Sequence, residues 1–232
     1  MIDTLFIDLD NTILDFCATE THVLGRALQE NGIAPRPEVE ALYRRINQEQ
    51  WTLLEEGKVA VEDVGERRFA LFLQALHSDV DVHALSNTYD RLLKECCFFM
   101  PGAVELLETL SKTYRLYMMT NGMECVQYGR IHRAHIEPYF EQIFVSSDIG
   151  YAKPSPEFFE ACFAQIENFD RTRAAILGDG LNSDIHGGLL VGLHTIWLNT
   201  ANKPNNSIWQ PDAEVHALSE VPAILAEWNK RI

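Results

Sequence analysis

The stretch that decides the fold lies near the N-terminus and reads Leu5-Phe6-Ile7-Asp8-Leu9-Asp10-Asn11-Thr12. Its apolar start predicts a buried β-strand, and its two acidic residues come where that strand ends. In an open parallel sheet, the carboxyl ends of the strands are where ligands bind. Two carboxylates this close repel each other, and burial raises the cost, so a divalent cation is expected to offset it. One aspartate could then attack a substrate while the other handles protons.

The part of the chain that follows this stretch is predicted to be helical up to about residue 100. Apolar residues recur there at helical spacing, as in Phe69, Phe72 and Leu76, and no segment has the pattern of a strand. Helices are predicted over residues 21–29, 39–55, 61–76 and 82–98. Pro101-Gly102 then marks a boundary.

Beyond this boundary, predicted strands alternate with predicted helices. The strands are expected at residues 116–120, 142–145, 174–177 and 195–198. Such alternation is typical of an α/β fold with a doubly wound parallel sheet, to which the first strand would also belong. We therefore expect a Rossmann-like core formed by residues 1–16 and 101–232, with an inserted all-helical domain at residues 17–100.

Composition narrows the class of protein. The 232 residues carry a formal charge of −15, from 34 acidic and 19 basic side chains. So acidic a chain disfavours nucleic-acid polymers and anionic membranes as partners, whereas a few local donors could still hold a small phosphorylated metabolite. The five cysteines are scattered without a Cys-x-x-Cys pair, and the N-terminus lacks the features of a signal peptide. A soluble cytoplasmic protein is expected; the sequence makes no prediction of oligomeric state.

Three further polar clusters follow predicted strands. They are Thr120-Asn121-Gly122, Lys153-Pro154 and the pair Asp179 and Asp184 in the segment Gly178-Asp179-Gly180-Leu181-Asn182-Ser183-Asp184. Structural roles also fit the first two clusters, as an Asn-Gly turn and a solvated loop lysine, and fit Asp184 as an acidic helix start, but such a role does not explain Asp179. Their common position at strand ends favours one shared site.

On these clusters the chain resembles the haloacid dehalogenase superfamily of phosphohydrolases. The first motif of the superfamily, Asp-x-Asp-x-Thr, matches residues 8–12, and its later Thr, Lys and acidic-pair motifs match Thr120, Lys153 and the pair Asp179 and Asp184. The helical insertion looks like the small cap of that superfamily. Other stretches resemble its noncanonical pyrimidine 5′-nucleotidase branch: Ile46-Asn47-Gln48-Glu49-Gln50-Trp51, Glu55-Glu56-Gly57-Lys58, Thr120-Asn121-Gly122, Phe144-Val145-Ser146-Ser147 and Ile196-Trp197-Leu198-Asn199.

The resemblance implies a Mg²⁺-dependent phosphomonoester hydrolase that acts through an aspartyl-phosphate, with a nucleoside 5′-monophosphate as the expected substrate. It implies Asp8 as the nucleophile and Asp10 as the general acid–base. The other implied roles are metal binding by the Asp8 side chain, the Asp10 backbone carbonyl and Asp179; phosphoryl binding by Thr120, Asn121 and Lys153; and support from Asp184 and Thr12.

In the helical insertion, Trp51 is a candidate for stacking on a base, with Asn47 one helical turn earlier. Packing inside the insertion explains Trp51 equally well.

Three alternatives stay open. A sugar-phosphate phosphatase or phosphomutase would use the same core. A 2-haloacid dehalogenase would share the fold and the nucleophile, but such relatives lack the second aspartate of the first motif, which is Asp10 here. The third alternative is a non-catalytic phosphate-binding module.

Overall fold

The central element of the molecule is a parallel β-sheet. The computed structural model describes residues 1–231. Within that range the strands are β1 (Thr4–Ile7), β2 (Arg115–Thr120), β3 (Gln142–Val145), β4 (Ala174–Gly178), β5 (His194–Leu198) and β6 (Ala213–Val215). They form a six-stranded sheet in the order β3-β2-β1-β4-β5-β6, with every neighbouring pair parallel. The predicted α/β fold with a doubly wound sheet is confirmed.

The position of β1 explains where a site can form. This strand pairs with β2 on one side and with β4 on the other, so that Ile7 lies opposite both Met118 and Leu177. Successive side chains of β1 point into different apolar clusters, with Phe6 on one face of the sheet and Ile7 on the other. Burial on both faces accounts for its unbroken apolar run. The order of strands reverses at β1, and the loops after β1, β2 and β4 therefore meet at one edge.

Helices cover the sheet and form the insertion. In chain order they are α1 (Phe16–Glu30), α2 (Pro37–Glu55), α3 (Val61–Ala75), α4 (Val82–Glu95), α5 (Ala103–Leu110), α6 (Glu124–Ala134), α7 (Ser146–Ile149), α8 (Pro156–Phe163), α9 (Gly187–Leu190) and α10 (Val221–Arg231). A π-helical segment, Leu181–His186, precedes α9.

Helices α1 to α4 form a bundle with an apolar cluster distinct from those of the sheet. At its centre the Tyr43 and Phe69 rings stack with their centroids 5.1 Å apart. The two chain segments that enter and leave the bundle lie side by side, since the Asp15 amide donates to the Phe98 carbonyl at 2.8 Å. The domain division at residues 17 and 100 stays a prediction.

Several element boundaries differ from the sequence-based expectations. Helix α1 begins at Phe16 because the Asp15 side chain accepts the Ala18 amide and caps it. Helix α4 ends at Glu95 rather than at residue 98. Strand β6 was not predicted, because three residues at the edge of a sheet carry too little pattern. No helix in the described part of the chain is long and apolar enough to cross a membrane.

Candidate active site

Lys153 lies at the centre of the strand-end crevice. Its ammonium donates to Asp8 Oδ1 at 2.8 Å, to Asp184 Oδ1 at 2.7 Å and to the Met119 carbonyl at 2.7 Å. The side chain is only 1% exposed. Burial lowers the pKa of Lys153, but the two adjoining carboxylates outweigh it and hold the pKa above its usual range. One buried cation, carried by the loop after β3 and α7, thus connects the segments after β1 and β4 with the end of β2.

Asp8 follows β1 and is held at both oxygens. Lys153 donates to Oδ1, and the Thr12 hydroxyl donates to Oδ2 at 3.0 Å. Burial, assisted by the charges of Asp184 and Asp10, raises the pKa of Asp8 to about 7, although Lys153 opposes the shift. The side chain is therefore fixed in orientation while its negative charge is incompletely balanced.

The two glycines beside Asp179 make room for a side chain that folds back over the loop. A Cβ atom at Gly178 would collide with Asp184 Oδ2, and one at Gly180 would collide with the Ser183 hydroxyl. Asp184 Oδ2 accepts the Gly180 amide at 3.0 Å, so both oxygens of Asp184 have donors. The Gly-Asp-Gly sequence is thus a packing requirement of the loop.

Asp179 is the acid that no donor satisfies. Among residues 1–231 no side chain or amide donates a hydrogen bond to its carboxylate. Burial raises the pKa of Asp179 well above its ordinary value, and the charges of Asp8 and Asp184 add to the effect. Its backbone carbonyl accepts the Trp197 indole N–H at 2.9 Å, which fixes the loop.

The acidic cluster has the composition of a divalent-cation site. Ligand oxygens of Asp8, Asp179 and Asp184 all lie within 4.8 Å of one another. Hard oxygen donors with excess negative charge suit Mg²⁺ or Ca²⁺ rather than softer metals. Asp8 and Asp184 each have a donor on both oxygens, so among the three acids Asp179 is the one whose carboxylate is left without a donor by the described residues.

The predicted phosphoryl-binding residues lie beside this cluster. The Thr120 hydroxyl accepts a hydrogen bond from Gln127 Nε2 at 2.7 Å. The Asn121 side chain exchanges two hydrogen bonds, each of 2.9 Å, with the backbone of Lys153. Asn121 therefore fixes the segment that carries the lysine, and these contacts use only one of the two hydrogens on its Nδ2 atom.

Two polar side chains of α6 were missed by sequence analysis. Gln127 Nε2 donates to Asp10 Oδ2 at 2.9 Å, and Arg130 Nη1 lies 2.6 Å from Asp10 Oδ1 in an ion pair. Both residues are buried. They are three residues apart and therefore lie on one face of the helix. In the sequence, however, a single Gln and a single Arg within an amphipathic pattern cannot be distinguished from residues that face solvent.

The cleft above these residues is closed by the helical bundle and has a volume of about 480 Å³. Its core wall includes Asp8, Lys153 and Asp179, and its bundle wall includes Arg44, Trp51 and Arg68. Asn182 Nδ2 also donates to Glu55 Oε2 at 2.8 Å, which joins the end of α2 to the core. A cleft of this size suits a small organic ligand.

Asn47 and Trp51, the two residues predicted in the bundle, are placed differently within this wall. The Asn47 amide is buried, where Nδ2 donates to Glu20 and Oδ1 accepts from both Arg68 and the Trp51 indole N–H. The Trp51 ring is half-buried and partly packs against an apolar cluster of the bundle. Asn47 thus accepts a hydrogen bond from the indole nitrogen of Trp51, and both polar atoms of the Asn47 amide have partners.

The chain is similar in sequence and in fold to known proteins. A family model described as haloacid dehalogenase-like hydrolase matches residues 2–192. The chain belongs to that family. The sequence resemblance is confirmed, and the protein is a hydrolase.

Individual relatives agree along nearly the whole chain. The crystal structure of the Bacillus subtilis HAD hydrolase YfnB bound to magnesium is 37% identical, covers 97% of this chain and 98% of that one, and has a TM-score of 0.90. Pyrimidine 5′-nucleotidase PynA of Streptococcus pneumoniae is 33% identical over 94% of this chain and 92% of its own length. Pyrimidine 5′-nucleotidase YjjG of Escherichia coli is 28% identical over 97% and 98%.

Proposed function

We propose that the protein is a Mg²⁺-dependent phosphatase that uses Asp8 as its nucleophile and acts on nucleoside 5′-monophosphates, pyrimidine nucleotides in particular. The observation that carries the proposal is the combination of an oriented Asp8 with an unpartnered Asp179 beside it. The names of the relatives PynA and YjjG support the substrate class, and the magnesium in the YfnB structure supports the cation.

The residues fit a two-step reaction. In the first step an Asp8 oxygen attacks phosphorus, the bond from phosphorus to the ester oxygen breaks, and Asp10 gives its proton to the departing alkoxide. In the second step Asp10 takes a proton from water, which attacks the aspartyl-phosphate and releases inorganic phosphate. Thr12 and Lys153 hold the nucleophile throughout.

Asp8, Asp179 and the backbone carbonyl of Asp10 would hold Mg²⁺, as the resemblance implies, while Asp184 would support the site by orienting Lys153, whose ammonium donates to it. When bound, Mg²⁺ offsets the charge of the phosphate and of the carboxylates around it. Lys153, which donates to Asp8 Oδ1, neutralises part of the same charge, and Thr120 would offer a hydroxyl to the phosphoryl oxygens.

A substrate panel tests the proposal. Phosphate release is measured with Mg²⁺ for UMP, dUMP, dTMP, halogenated pyrimidine nucleotides, sugar phosphates and p-nitrophenyl phosphate. We expect the highest kcat/KM for pyrimidine monophosphates and no turnover after EDTA treatment. A preference for sugar phosphates would reject the nucleotide assignment alone. Turnover of a 2-haloacid that survives EDTA would indicate a dehalogenase, and phosphate binding without any turnover would indicate a binding module.

Trp51 offers a sharper test of the nucleotide assignment. Stacking of a base on an aromatic ring contributes about 1–3 kcal/mol, so Trp51→Ala is expected to raise KM for UMP about tenfold or more. The KM for ribose 5-phosphate, which has the same leaving group without a base, should not change. Trp51→Phe is the control that keeps a ring at this position. Equal effects on both substrates would mean that Trp51 only packs the bundle.

A further inference from the structure

Helix α6 presents two buried polar side chains to the loop that carries Asp10. Gln127 is 3% exposed and Arg130 is 1% exposed. Neither belongs to the strand-end motifs, and α6 belongs to neither loop that supplies Asp8 or Asp179. A buried arginine costs free energy to desolvate, so its retention calls for an explanation beyond stability.

The two side chains hold different oxygens of the same carboxylate. Gln127 Nε2 donates to Asp10 Oδ2 at 2.9 Å, and Arg130 Nη1 pairs with Asp10 Oδ1 at 2.6 Å. Arg130 Nη1 also donates to Gln127 Oε1 at 2.9 Å, so the three groups form a closed ring of contacts. Oδ2 is thus held by a hydrogen bond, and Oδ1, which has no hydrogen-bond partner among the described residues, is held by the charge of Arg130. Contacts at both oxygens restrict the orientation of the Asp10 carboxyl group.

Gln127 additionally connects Asp10 to the predicted phosphoryl-binding residue. The same Nε2 atom lies 2.7 Å from the Thr120 hydroxyl. Gly122 leaves the space that this side chain needs, because a Cβ atom there would lie 2.8 Å from Gln127 Cγ. The side-chain amide of Gln127 thus contacts both Asp10 and Thr120 and sets the distance between these two side chains.

Arg130 has hydrogen-bonding capacity that the fold does not use. Its Nε and Nη2 atoms are buried and have no hydrogen-bond partner among the described residues. The guanidinium lies over the ring of Phe16, the first residue of α1, at 5.2 Å from its centroid. A side chain selected for stability alone would be expected to satisfy these donors.

We propose that Gln127 and Arg130 are positioning residues, which orient the Asp10 carboxyl group for proton transfer to the leaving group. This proposal rests on the acid–base role given to Asp10 above. It concerns the direction in which the carboxyl group points. A displacement of about 1 Å at such a group can cost on the order of 10²-fold in rate.

The test compares two substrates that differ in their need for an acid. UMP loses an alkoxide and requires a proton, whereas p-nitrophenyl phosphate loses a nitrophenolate, which leaves as an anion. The parameter is kcat/KM with saturating Mg²⁺, because it covers the steps up to departure of the leaving group. For Gln127→Met and Arg130→Met we expect a loss of roughly 10- to 100-fold on UMP and little change on p-nitrophenyl phosphate.

The ratio of the two kcat/KM values is taken within each preparation, so an inactive or unfolded fraction cancels from it. Arg133→Met is the matched control, because Arg133 lies three residues after Arg130 on α6 and is exposed. It should leave the ratio unchanged. Arg130→Lys keeps the charge and should recover part of the activity on UMP. Asp10→Asn calibrates the method, with an expected loss of about 10²- to 10⁴-fold on UMP.

The outcomes separate the two proposals. If Asp10→Asn loses UMP turnover selectively but the α6 variants lose both substrates equally or neither, the positioning role is wrong and the acid–base role stands. If Asp10→Asn shows no selectivity, the acid–base role is wrong and the positioning role falls with it. An increase of UMP turnover in Arg130→Met would also overturn the proposal.

Discussion

The strand-end crevice and the interior of the helical bundle both bury charged side chains, but only the bundle balances them. In the crevice, three carboxylates lie close together, Lys153 pairs with only two of them, Asp8 and Asp184, and Asp179 has no donor among the described residues. In the bundle, Arg44 forms an ion pair with Glu20, and Arg68 forms one with Asp90. The difference shows which region is built for a ligand, because excess buried charge is stable only when something else compensates it.

The charged side chains of the bundle contact one another and Asn47. Arg68 Nη1 donates to Asn47 at 3.1 Å, and its Nη2 lies 3.6 Å from Asp90. The Nδ2 atom of Asn47 in turn donates a hydrogen bond to Glu20 at 3.0 Å. The Arg68 guanidinium also lies about 5 Å from the Phe69 and Tyr89 ring centroids. Such a network specifies how the four helices pack, and its loss should be felt in stability.

The largest expected effect is on catalysis in the crevice. Asp8→Asn removes a nucleophile that no neighbouring group replaces, so phosphate release from UMP is expected to fall on the order of 10⁴-fold or more. The fold should persist, since the variant relieves repulsion among the carboxylates. The measurement is initial rate with Mg²⁺, together with a thermal unfolding curve. Near-full activity in a folded Asp8→Asn protein would reject the mechanism.

The next effect is on stability in the bundle. Arg68→Met leaves Asp90 largely buried without its ion-pair partner and removes the hydrogen bond to Asn47, which is expected to cost about 3–5 kcal/mol. In a chain of this length that corresponds to a decrease in Tm of roughly 6–20 °C. Arg67→Met is the matched control, because the neighbouring arginine is exposed and bonds only Gln50 at its Nε atom. Equal Tm values for the two variants would mean that the bundle charges are not coupled as the contacts indicate.

An opposite sign is expected in the crevice. Asp179→Asn removes one charge from the unbalanced cluster, so the metal-free variant should be more stable than the metal-free wild type by about 0.5–2 kcal/mol. Added Mg²⁺ should raise the Tm of the wild type, since it binds the native state only, and should raise that of the variant less. A variant that is less stable without metal yet responds fully to Mg²⁺ would place the cation elsewhere.

The same two regions explain how much could be predicted from the sequence. Asp8, Thr120 and Asp179 were predictable because each lies at the carboxyl end of a strand, and parallel strands bring these ends to one edge. Lys153, in the loop after β3 and α7, was predicted on its typical Pro154 and on the resemblance. The order of the strands around β1 makes those loops neighbours.

The polar residues on helices could not be predicted in this way. Arg68, Gln127 and Arg130 lie on amphipathic helices, where a polar residue at the border of the apolar face has the same pattern whether it points to solvent or inward. Asn47 was singled out, but its engagement by Glu20 and Arg68 depends on the approach of three helices. Those crossings are set by side-chain packing that a single sequence does not specify.

The smallest effect concerns the pH dependence of the bundle. Burial raises the pKa of Glu20 above its ordinary value of 4.5, although Arg44 and Arg68 oppose the shift. Between the unfolded and the folded pKa the native state binds more protons than the unfolded chain, so the contribution of Glu20 to stability falls as pH rises through that window.

The variant Glu20→Gln cannot titrate at this position and therefore does not lose stability in this way. The free energy of unfolding of the variant minus that of the wild type should therefore increase with pH above about 4.5 and then level off, as measured by urea unfolding at a series of pH values. Subtraction of the wild type removes the contribution of every group that the two proteins share. A difference that decreases with pH would mean that the arginines outweigh burial, and the bundle would then hold its charges in net attraction rather than in mere balance.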